Sequence, residues 1–194
     1  MSDLAPSQPS EPARLTVERY LGLVEAGVLS EDDRVELLEG VIVAMTPSNP
    51  PHDTGVTLAT HVLIRAVGEQ ATVRTQCSLI VGRWSLPEPD VAVVPGSPHD
   101  YSERHPETAL LVVEVADTSL QQDRLTKGAI YAAAAIPEYW IVNLRGRVLE
   151  VMRDPEPARA RYRDVRTLRG EERVELVTLP GVVIAVSDLL PRPR

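Results

Sequence analysis

The sequence has no phenylalanine, one cysteine and one lysine among its 194 residues. A single cysteine excludes both a disulfide framework and a zinc site built from four thiolates. Cys77 lies in the apolar run 77–81, so we expect a buried, unreactive thiol. All other basic residues are arginine, which makes Lys127 the position where a functional amine should be sought first.

Long apolar runs are also missing from the sequence. No run approaches the roughly 20 residues needed to cross a bilayer, and no signal-peptide pattern opens the chain. We therefore expect a cytoplasmic protein with no membrane partner. Residues 1–13 are rich in serine, proline and alanine and predict a disordered leader, whereas 14–190 are expected to form one domain.

Positive charge is scarce, since the formal net charge is -8. This balance disfavours a protein that coats nucleic acid by charge alone. The distribution is uneven, because residues 143–173 contain nine arginines and six acids. This segment is either a basic patch or, as we favour, a solvated hairpin surface rich in arginine.

Apolar periodicity predicts an alternation of helices and strands. The helix after residue 115 is capped either by Ser119, with Gln122 completing a capping box, or by Asp123, and the sequence does not choose between them. The expected elements are a helix from Thr16 to Gly27, a hairpin over 34–45, a helix from His52 or Asp53 to Gly68, strands over 72–81, 89–94 and 110–115, a helix to about 135, strands over 138–143 and 148–152, and peripheral strands over 162–168, 173–179 and 182–186.

Two acids stand on apolar strands. Asp90 follows Pro89 and begins one strand, and Glu114 interrupts a strand that is otherwise continuously apolar. Burying an unpaired charge costs several kcal/mol, so such residues are normally compensated by a metal or a partner. The positions indicate a divalent metal site, while pairing with arginines or capping of a loop is the competing interpretation.

The motifs resemble those of one nuclease superfamily and of one family within it. Asp90, Glu114 and Lys127, in this order, resemble the PD-(D/E)xK nucleases. The chain more closely resembles the Uma-two family of putative restriction endonucleases, through Val35-Glu36-Leu37-Leu38-Glu39-Gly40, the loop leading to His52, Pro89-Asp90-Val91-Ala92-Val93-Val94, Val113-Glu114-Val115-Ala116, Asp123 to Lys127 and Ile136-Pro137-Glu138-Tyr139-Trp140-Ile141-Val142.

The resemblance implies a fold and a metal site. The fold would be α/β, with a restriction-endonuclease-like mixed central sheet flanked by helices and with additional peripheral strands and hairpins. Asp90, Glu114 and the backbone carbonyl of Val115 would hold Mg²⁺, with Mn²⁺ as the other metal to consider. Lys127 would orient or deprotonate a water, or pair with the phosphate. The superfamily's commonest pattern has this lysine where the chain has Ala116, so the lysine would reach the site from the following helix.

Two further residues match family positions. Glu36 could supply another carboxylate from the hairpin, or be a solvated strand acid. His52 could contact a phosphate, or be a histidine that caps its helix or is satisfied by a hydrogen bond within the protein. Asp123 and Lys127, spaced i and i+4, could instead form only a surface pair.

The function expected from the resemblance is metal-dependent hydrolysis of phosphodiester bonds in DNA by an endonuclease. A homodimer is expected by analogy, because two sites related by a twofold axis can cut both strands. The competing interpretations are a catalytically inactive nuclease-fold module that binds nucleic acid or a protein partner, and an enzyme acting on another phosphodiester.

Overall fold

A computed structural model describes residues 14–192 of the chain, and the expected leader over 1–13 lies outside the described residues. Helices and strands alternate as the apolar periodicity predicts. The helical elements are α1 (Val17–Glu25), α2 (Pro50–Val67), α3 (Leu120–Gln122), one π-helical turn (Asp123–Lys127) and α4 (Gly128–Ala133). The strands are β1 (Val35–Leu38), β2 (Val41–Ala44), β3 (Thr72–Thr75), β4 (Val91–Val94), β5 (Leu111–Ala116), β6 (Glu138–Asn143), β7 (Val148–Glu156), β8 (Arg161–Arg169), β9 (Arg173–Glu175) and β10 (Val183–Ala185).

Six strands form the central sheet, in the order β3-β4-β5-β6-β7-β8. The pair β5 and β6 is parallel and all the other neighbours are antiparallel. A parallel pair needs a crossover connection, and the helical segment from α3 to α4 supplies it. The hairpins β1-β2 and β9-β10 lie outside this sheet. The mixed sheet with flanking helices and peripheral hairpins confirms the expected fold class.

Helices cover both faces of the sheet, which is why β5 is buried along its whole length. On one face, α2 packs on the side chains of Val113 and Val115. On the other face, α4 packs on Val112 and Ala116, which point the opposite way along the same strand. Glu114 shares the parity of Val112 and Ala116, so the strand directs its carboxyl toward the α4 face.

Four expected strands have wrong boundaries. The strand expected to end at 152 continues to Glu156, and the strand expected to end at 179 ends at Glu175. The strand expected over 72–81 ends at Thr75, because Gln76 takes a left-handed backbone conformation (φ 48°) that stops the β ladder. The expected strand over 89–94 begins at Val91. As a consequence Cys77 lies in an irregular segment and is half-buried rather than fully buried.

The helix start after β5 is also settled. The helix begins directly after Ser119. The Ser119 hydroxyl does not cap the helix backbone but donates a hydrogen bond to Asp123 Oδ2 at 2.6 Å. The expected capping box with Gln122 is therefore wrong. The other expected start, His52 or Asp53 for α2, is wrong by a few residues, since Asn49 caps that helix through the His52 N–H.

Six of the nine arginines in residues 143–173 lie on the β7-β8 hairpin, and several of them pair with neighbouring acids. Arg161 bonds Glu156, Arg163 bonds Asp154, and Arg166 bonds Asp164. This arrangement agrees with a solvated hairpin surface, because each of these three arginines is neutralised by an acid. Within residues 14–192, no helix is long and apolar enough to cross a membrane.

The sequence Glu138-Tyr139-Trp140 belongs to the buried part of β6. The Glu138 carboxyl is fully buried and accepts hydrogen bonds from Trp140 Nε1 at 2.8 Å and from Arg153 Nε at 2.9 Å. Its second oxygen accepts the Val177 N–H at 2.8 Å. Tyr139 and Trp140 are fully buried, so both aromatic residues serve the core.

Candidate active site

The site lies where β4 begins beside β5. These strands are antiparallel, with Val91 opposite Val113, and the next step of the same register brings Asp90 beside Glu114. Both carboxyls are almost completely buried. The two acids that are 24 positions apart in the sequence thus become neighbours through the strand pairing.

Asp90 is held by the backbone of β5 and by α2. Its Oδ2 accepts the Val115 N–H at 2.8 Å and lies 3.2 Å from His52 Nε2. His52 stands in the first turn of α2, which fixes its direction toward the strand. The hydrogen bond to Asp90 raises the pKa of His52, against the opposing effect of burial. His52 is therefore hydrogen-bonded to a site carboxylate, as expected for the satisfied histidine considered from the sequence, and its contact with a phosphate stays a prediction.

Glu114 is held from the helical side of the sheet. Its Oε1 accepts a hydrogen bond from Lys127 Nζ at 3.0 Å and another from the Tyr131 hydroxyl at 3.0 Å. Burial raises the pKa of Glu114 well above its ordinary value, although the Lys127 ammonium acts in the opposite direction. The nearby carboxylates of Asp90, Asp123 and Glu36 raise it further.

Lys127 points into the site, so the surface pair with Asp123 considered from the sequence is wrong. Its side chain is 10% exposed, and Nζ lies 3.0 Å from Glu114 Oε1 and 3.6 Å from Glu36 Oε2. Burial disfavours the ammonium, but the carboxylates of Glu114, Glu36 and Asp123 outweigh burial and raise the pKa of Lys127. Lys127 is therefore an ammonium at neutral pH.

Glu36 comes from β1 and is buried, which excludes the solvated strand acid considered from the sequence. Besides facing Lys127, its Oε2 accepts the Glu88 N–H at 3.3 Å. The Glu88 carboxyl lies nearby, and burial followed by the Glu36 charge raises its pKa. The β1-β2 hairpin thus forms one wall of the site.

A π-helical turn delivers Lys127 to the site. The Gly128 N–H bonds the Asp123 carbonyl, five residues back, and the Tyr139 hydroxyl donates to the same carbonyl at 3.1 Å. Arg124 anchors the turn from outside through two hydrogen bonds to Glu150, at 2.6 and 2.7 Å. Such turns are frequent at functional sites. Here the turn lets both Asp123 and Lys127 be buried.

The side chains enclose the inner end of a cleft, with a cavity of about 90 Å³. This volume is large enough for an ion and several waters, because one water needs a cavity of roughly 10–15 Å³. Two basic residues and six acids line it: Arg34, Lys127, Glu36, Glu88, Asp90, Glu114, Asp117 and Asp123. This excess of acids favours a bound cation.

The donor chemistry fits a hard divalent metal. Asp90 uses Oδ2 and Glu114 uses Oε1 for hydrogen bonds, and among the described residues no donor faces the second oxygen of either carboxyl. Across residues 14–192, no three His, Cys, Asp or Glu side chains are grouped so as to hold a metal unaided. Mg²⁺ commonly takes only one or two carboxylates and completes its shell with water and substrate phosphate. The Val115 carbonyl stays a predicted third ligand.

Gly55 allows α2 to approach β5 closely enough to bring His52 to Asp90. A Cβ on Gly55 would lie 2.6 Å from Val115 Cγ1 and 3.2 Å from Leu144 Cδ2. We expect Gly55→Ala to lower the free energy of unfolding by about 1–3 kcal/mol, measured by urea denaturation. The matched control is Gly22→Ala in α1, where nothing lies within 4 Å and the better helix former should add up to about 1 kcal/mol. Equal shifts for both variants would contradict this packing argument.

Tyr131 was not singled out from the sequence, yet it donates a hydrogen bond to Glu114. The signal was present, because Tyr131 follows Lys127 by four residues and thus shares a helix face with it. Asn49 was likewise missed, although it caps α2 and donates to Asp117 Oδ2 at 2.9 Å at the mouth of the cleft. An N-cap asparagine before a proline is a recognisable helix start.

The mixed sheet, the crossover helix and the peripheral hairpins define a restriction-endonuclease-like protein. The chain belongs to the Uma2 family, described as "Putative restriction endonuclease", whose family model matches residues 17–187. No curated protein sequence matches the chain.

One solved structure supports this description of the fold. The chain is similar to the crystal structure of "a putative nuclease belonging to DUF820" from Anabaena variabilis, with a TM-score of 0.68 and 15% identity over 90% of this chain and 97% of the other. A second match is the type IIG restriction endonuclease BpuSI, with a TM-score of 0.37 and 18% identity over 60% of this chain and 13% of that one. The first likeness shows the fold, and the second is too distant to support an argument.

Proposed function

We propose that this chain is a metal-dependent endonuclease of the PD-(D/E)xK type that hydrolyses phosphodiester bonds in DNA, with Mg²⁺ or Mn²⁺ as the metal. One observation supports this most strongly: Asp90, Glu114 and the only lysine of the chain line the same acidic cleft. Two acids and a lysine are the residue types that such hydrolysis requires, and the family description agrees with it.

Asp90 and Glu114 are the proposed metal ligands, with the Val115 carbonyl as the third. A bound divalent ion would supply Lewis-acid stabilisation of charge on the phosphate and would make a nearby water more acidic. The Val115 N–H and His52 orient the Asp90 carboxylate, and Tyr131 orients that of Glu114. These contacts keep both acids in place at the cleft floor.

Lys127 is the proposed catalytic cation. As an ammonium, it would stabilise negative charge on a phosphate oxygen or donate a hydrogen bond to it. Glu36 fixes the direction of the ammonium through their 3.6 Å approach. His52, at the N-terminal turn of α2, would contact the phosphate, a position where anions are also favoured by the helix dipole. A homodimer, with one such site for each strand of a duplex, completes the proposal.

The test is incubation of the purified protein with plasmid, linear duplex and single-stranded DNA, and with RNA, in Mg²⁺, Mn²⁺ or EDTA. We expect plasmid DNA to be nicked or linearised with either metal and left intact in EDTA. The Asp90→Asn variant, purified identically, reports any contaminating nuclease. Cleavage that persists in EDTA, or that is equal for both proteins, would remove the enzyme hypothesis. Binding of DNA without cleavage in any metal would favour the inactive nuclease-fold module instead.

A further inference from the structure

The acidic cavity opens into a second, larger groove. This groove has a volume of about 650 Å³ and shares Arg34, Met45, Gln76 and Glu88 with the acidic end, so the two form one continuous cleft. One wall is α1, with Tyr20, Leu21 and Val24, and the opposite wall is the segment from Arg74 to Ser78. The volume is within the range of ligand-binding clefts, about 300–1,000 Å³.

The sign of the charge changes along this cleft. Six acids against Arg34 and Lys127 line the inner end, whereas the outer groove has Arg34 and Arg74 against Glu88 alone. Burial, followed by the charge of Arg74, lowers the pKa of His105 and keeps this imidazole neutral. The inner end therefore suits a cation and the outer groove suits an anion.

Arg74 has no hydrogen-bond or ion-pair partner for its guanidinium among the described residues. Its Nε is buried without a hydrogen-bond acceptor, and no ion pair of Arg74 is found in the described part of the chain. The guanidinium carbon lies 5.4 Å from the centre of the Tyr101 ring, which holds the group by a cation–π contact. The Tyr101 hydroxyl is itself fixed by the Pro95 carbonyl. A guanidinium that is positioned but unpaired is suited to bind an external anion.

Arg74 also stands at a short, fixed distance from the acidic end. It pairs with Ala92 across β3 and β4, two residues from Asp90, which is about 7 Å along a strand. The Gln76 N–H donates to the Asp90 carbonyl at 3.1 Å and ties the two segments together. A strand whose scissile phosphate lies at Asp90 would thus bring a neighbouring phosphate toward Arg74.

We infer that the outer groove is a binding site for the sugar-phosphate backbone next to the scissile bond, and that Arg74 is its phosphate-binding residue. This inference rests on the proposed nuclease function and adds the path by which the nucleic acid leaves the cleft. The groove carries a single bound strand, with Tyr101 keeping the guanidinium directed into it.

The test measures binding of fluorescein-labelled single-stranded and duplex DNA in Ca²⁺ at several salt concentrations, together with KM and kcat in Mg²⁺. Arg74→Gln is expected to raise Kd and KM about tenfold, with kcat retained, and to reduce the slope of log Kd against log salt by about one. The matched control is Arg166→Gln on β8, at the opposite edge of the sheet, which should leave all these values unchanged.

Two readouts separate this role from a structural one. Arg74→Lys keeps a positive charge and should restore most of the salt slope, even though the two-pronged geometry of arginine is lost. Thermal denaturation of each variant detects any loss of folding, which would lower kcat and leave the salt slope unchanged.

Each result bears on the inference in a defined way. A wild-type protein that cleaves DNA, with unchanged Kd and salt slope for Arg74→Gln, would overturn the Arg74 site and leave the nuclease function standing. A wild-type protein that neither binds nor cleaves DNA would overturn both. Loss of the salt slope in Arg74→Gln with recovery in Arg74→Lys would support the site.

Discussion

Replacing Lys127 with methionine is expected to lower DNA cleavage by about 10³-fold while metal binding is kept. The ammonium contacts Glu114 and Glu36, and it is the only cation within 4 Å of either carboxyl among the described residues. Methionine fills a similar volume without charge, so the ammonium that would contact the phosphate is lost. Removal of a positive charge beside Glu114 should leave the affinity for Mn²⁺ equal or higher, because the ammonium no longer competes for this carboxyl.

The pair of measurements is cleavage rate and Mn²⁺ affinity by calorimetry. A folding defect would lower both, whereas loss of a catalytic cation lowers only the rate. Breaking a buried ion pair can cost about 3–5 kcal/mol, so the free energy of unfolding must be measured beside them. The control for loss of one positive charge is Arg65→Met, because Arg65 is an exposed basic residue on α2. Cleavage at the wild-type rate by Lys127→Met would show that Lys127 only compensates the buried acids.

The single lysine also permits a direct check of its charge. A protein labelled with ¹³C at the lysine Cε should give one side-chain signal, since the sequence has no other lysine. Because the neighbouring carboxylates raise the pKa of Lys127 despite burial, the signal should show no titration through pH 10.4, where free lysine titrates. Titration near neutral pH would instead support a role as general base.

The second large effect is expected on metal affinity. Asp90→Asn and Glu114→Gln should each weaken Mn²⁺ binding by more than about 100-fold, because loss of an outer-shell partner alone can cost 10–100-fold. Each substitution keeps the shape and removes the negative charge of a carboxyl whose second oxygen has no hydrogen-bond donor. Cleavage should fall in parallel. Asp154→Asn on the β7-β8 hairpin is the control, since Asp154 is exposed and asparagine tolerates its left-handed backbone.

The same measurement has an expected dependence on pH. Burial raises the pKa of Glu114, so its carboxyl keeps a proton at pH values where an ordinary glutamate has lost it. A metal needs the carboxylate, and affinity should therefore fall with decreasing pH from a value above 4.3, the usual glutamate pKa. Calorimetry in two buffers of different ionisation enthalpy should reveal released protons, and Glu114→Gln should reduce their number. Unchanged metal affinity in both variants would exclude these acids as ligands.

The sequence alone determined the fold class and the family. The hairpin over 34–45, the acid-bearing strands and the helix between β5 and β6 could be predicted because apolar periodicity and turn residues act locally. The boundaries were less predictable: β3 stops at Thr75 because of the backbone of Gln76, and α2 starts at a cap that the pattern of apolar residues does not mark. Asp90, Glu114 and Lys127 were identified as chemically unusual, since charge on apolar strands and a solitary lysine are visible without coordinates.

Only the tertiary structure decided how these residues meet. The strand register places Asp90 beside Glu114. A π-helical turn, which the apolar periodicity does not predict, directs Lys127 to Glu114 and Glu36 instead of to the surface. The unpaired guanidinium of Arg74 and the continuity of the groove with the acidic end likewise depend on contacts between distant segments. Local sequence fixes which residues can carry charge, whereas burial and the arrangement of long-range neighbours fix what each charge faces.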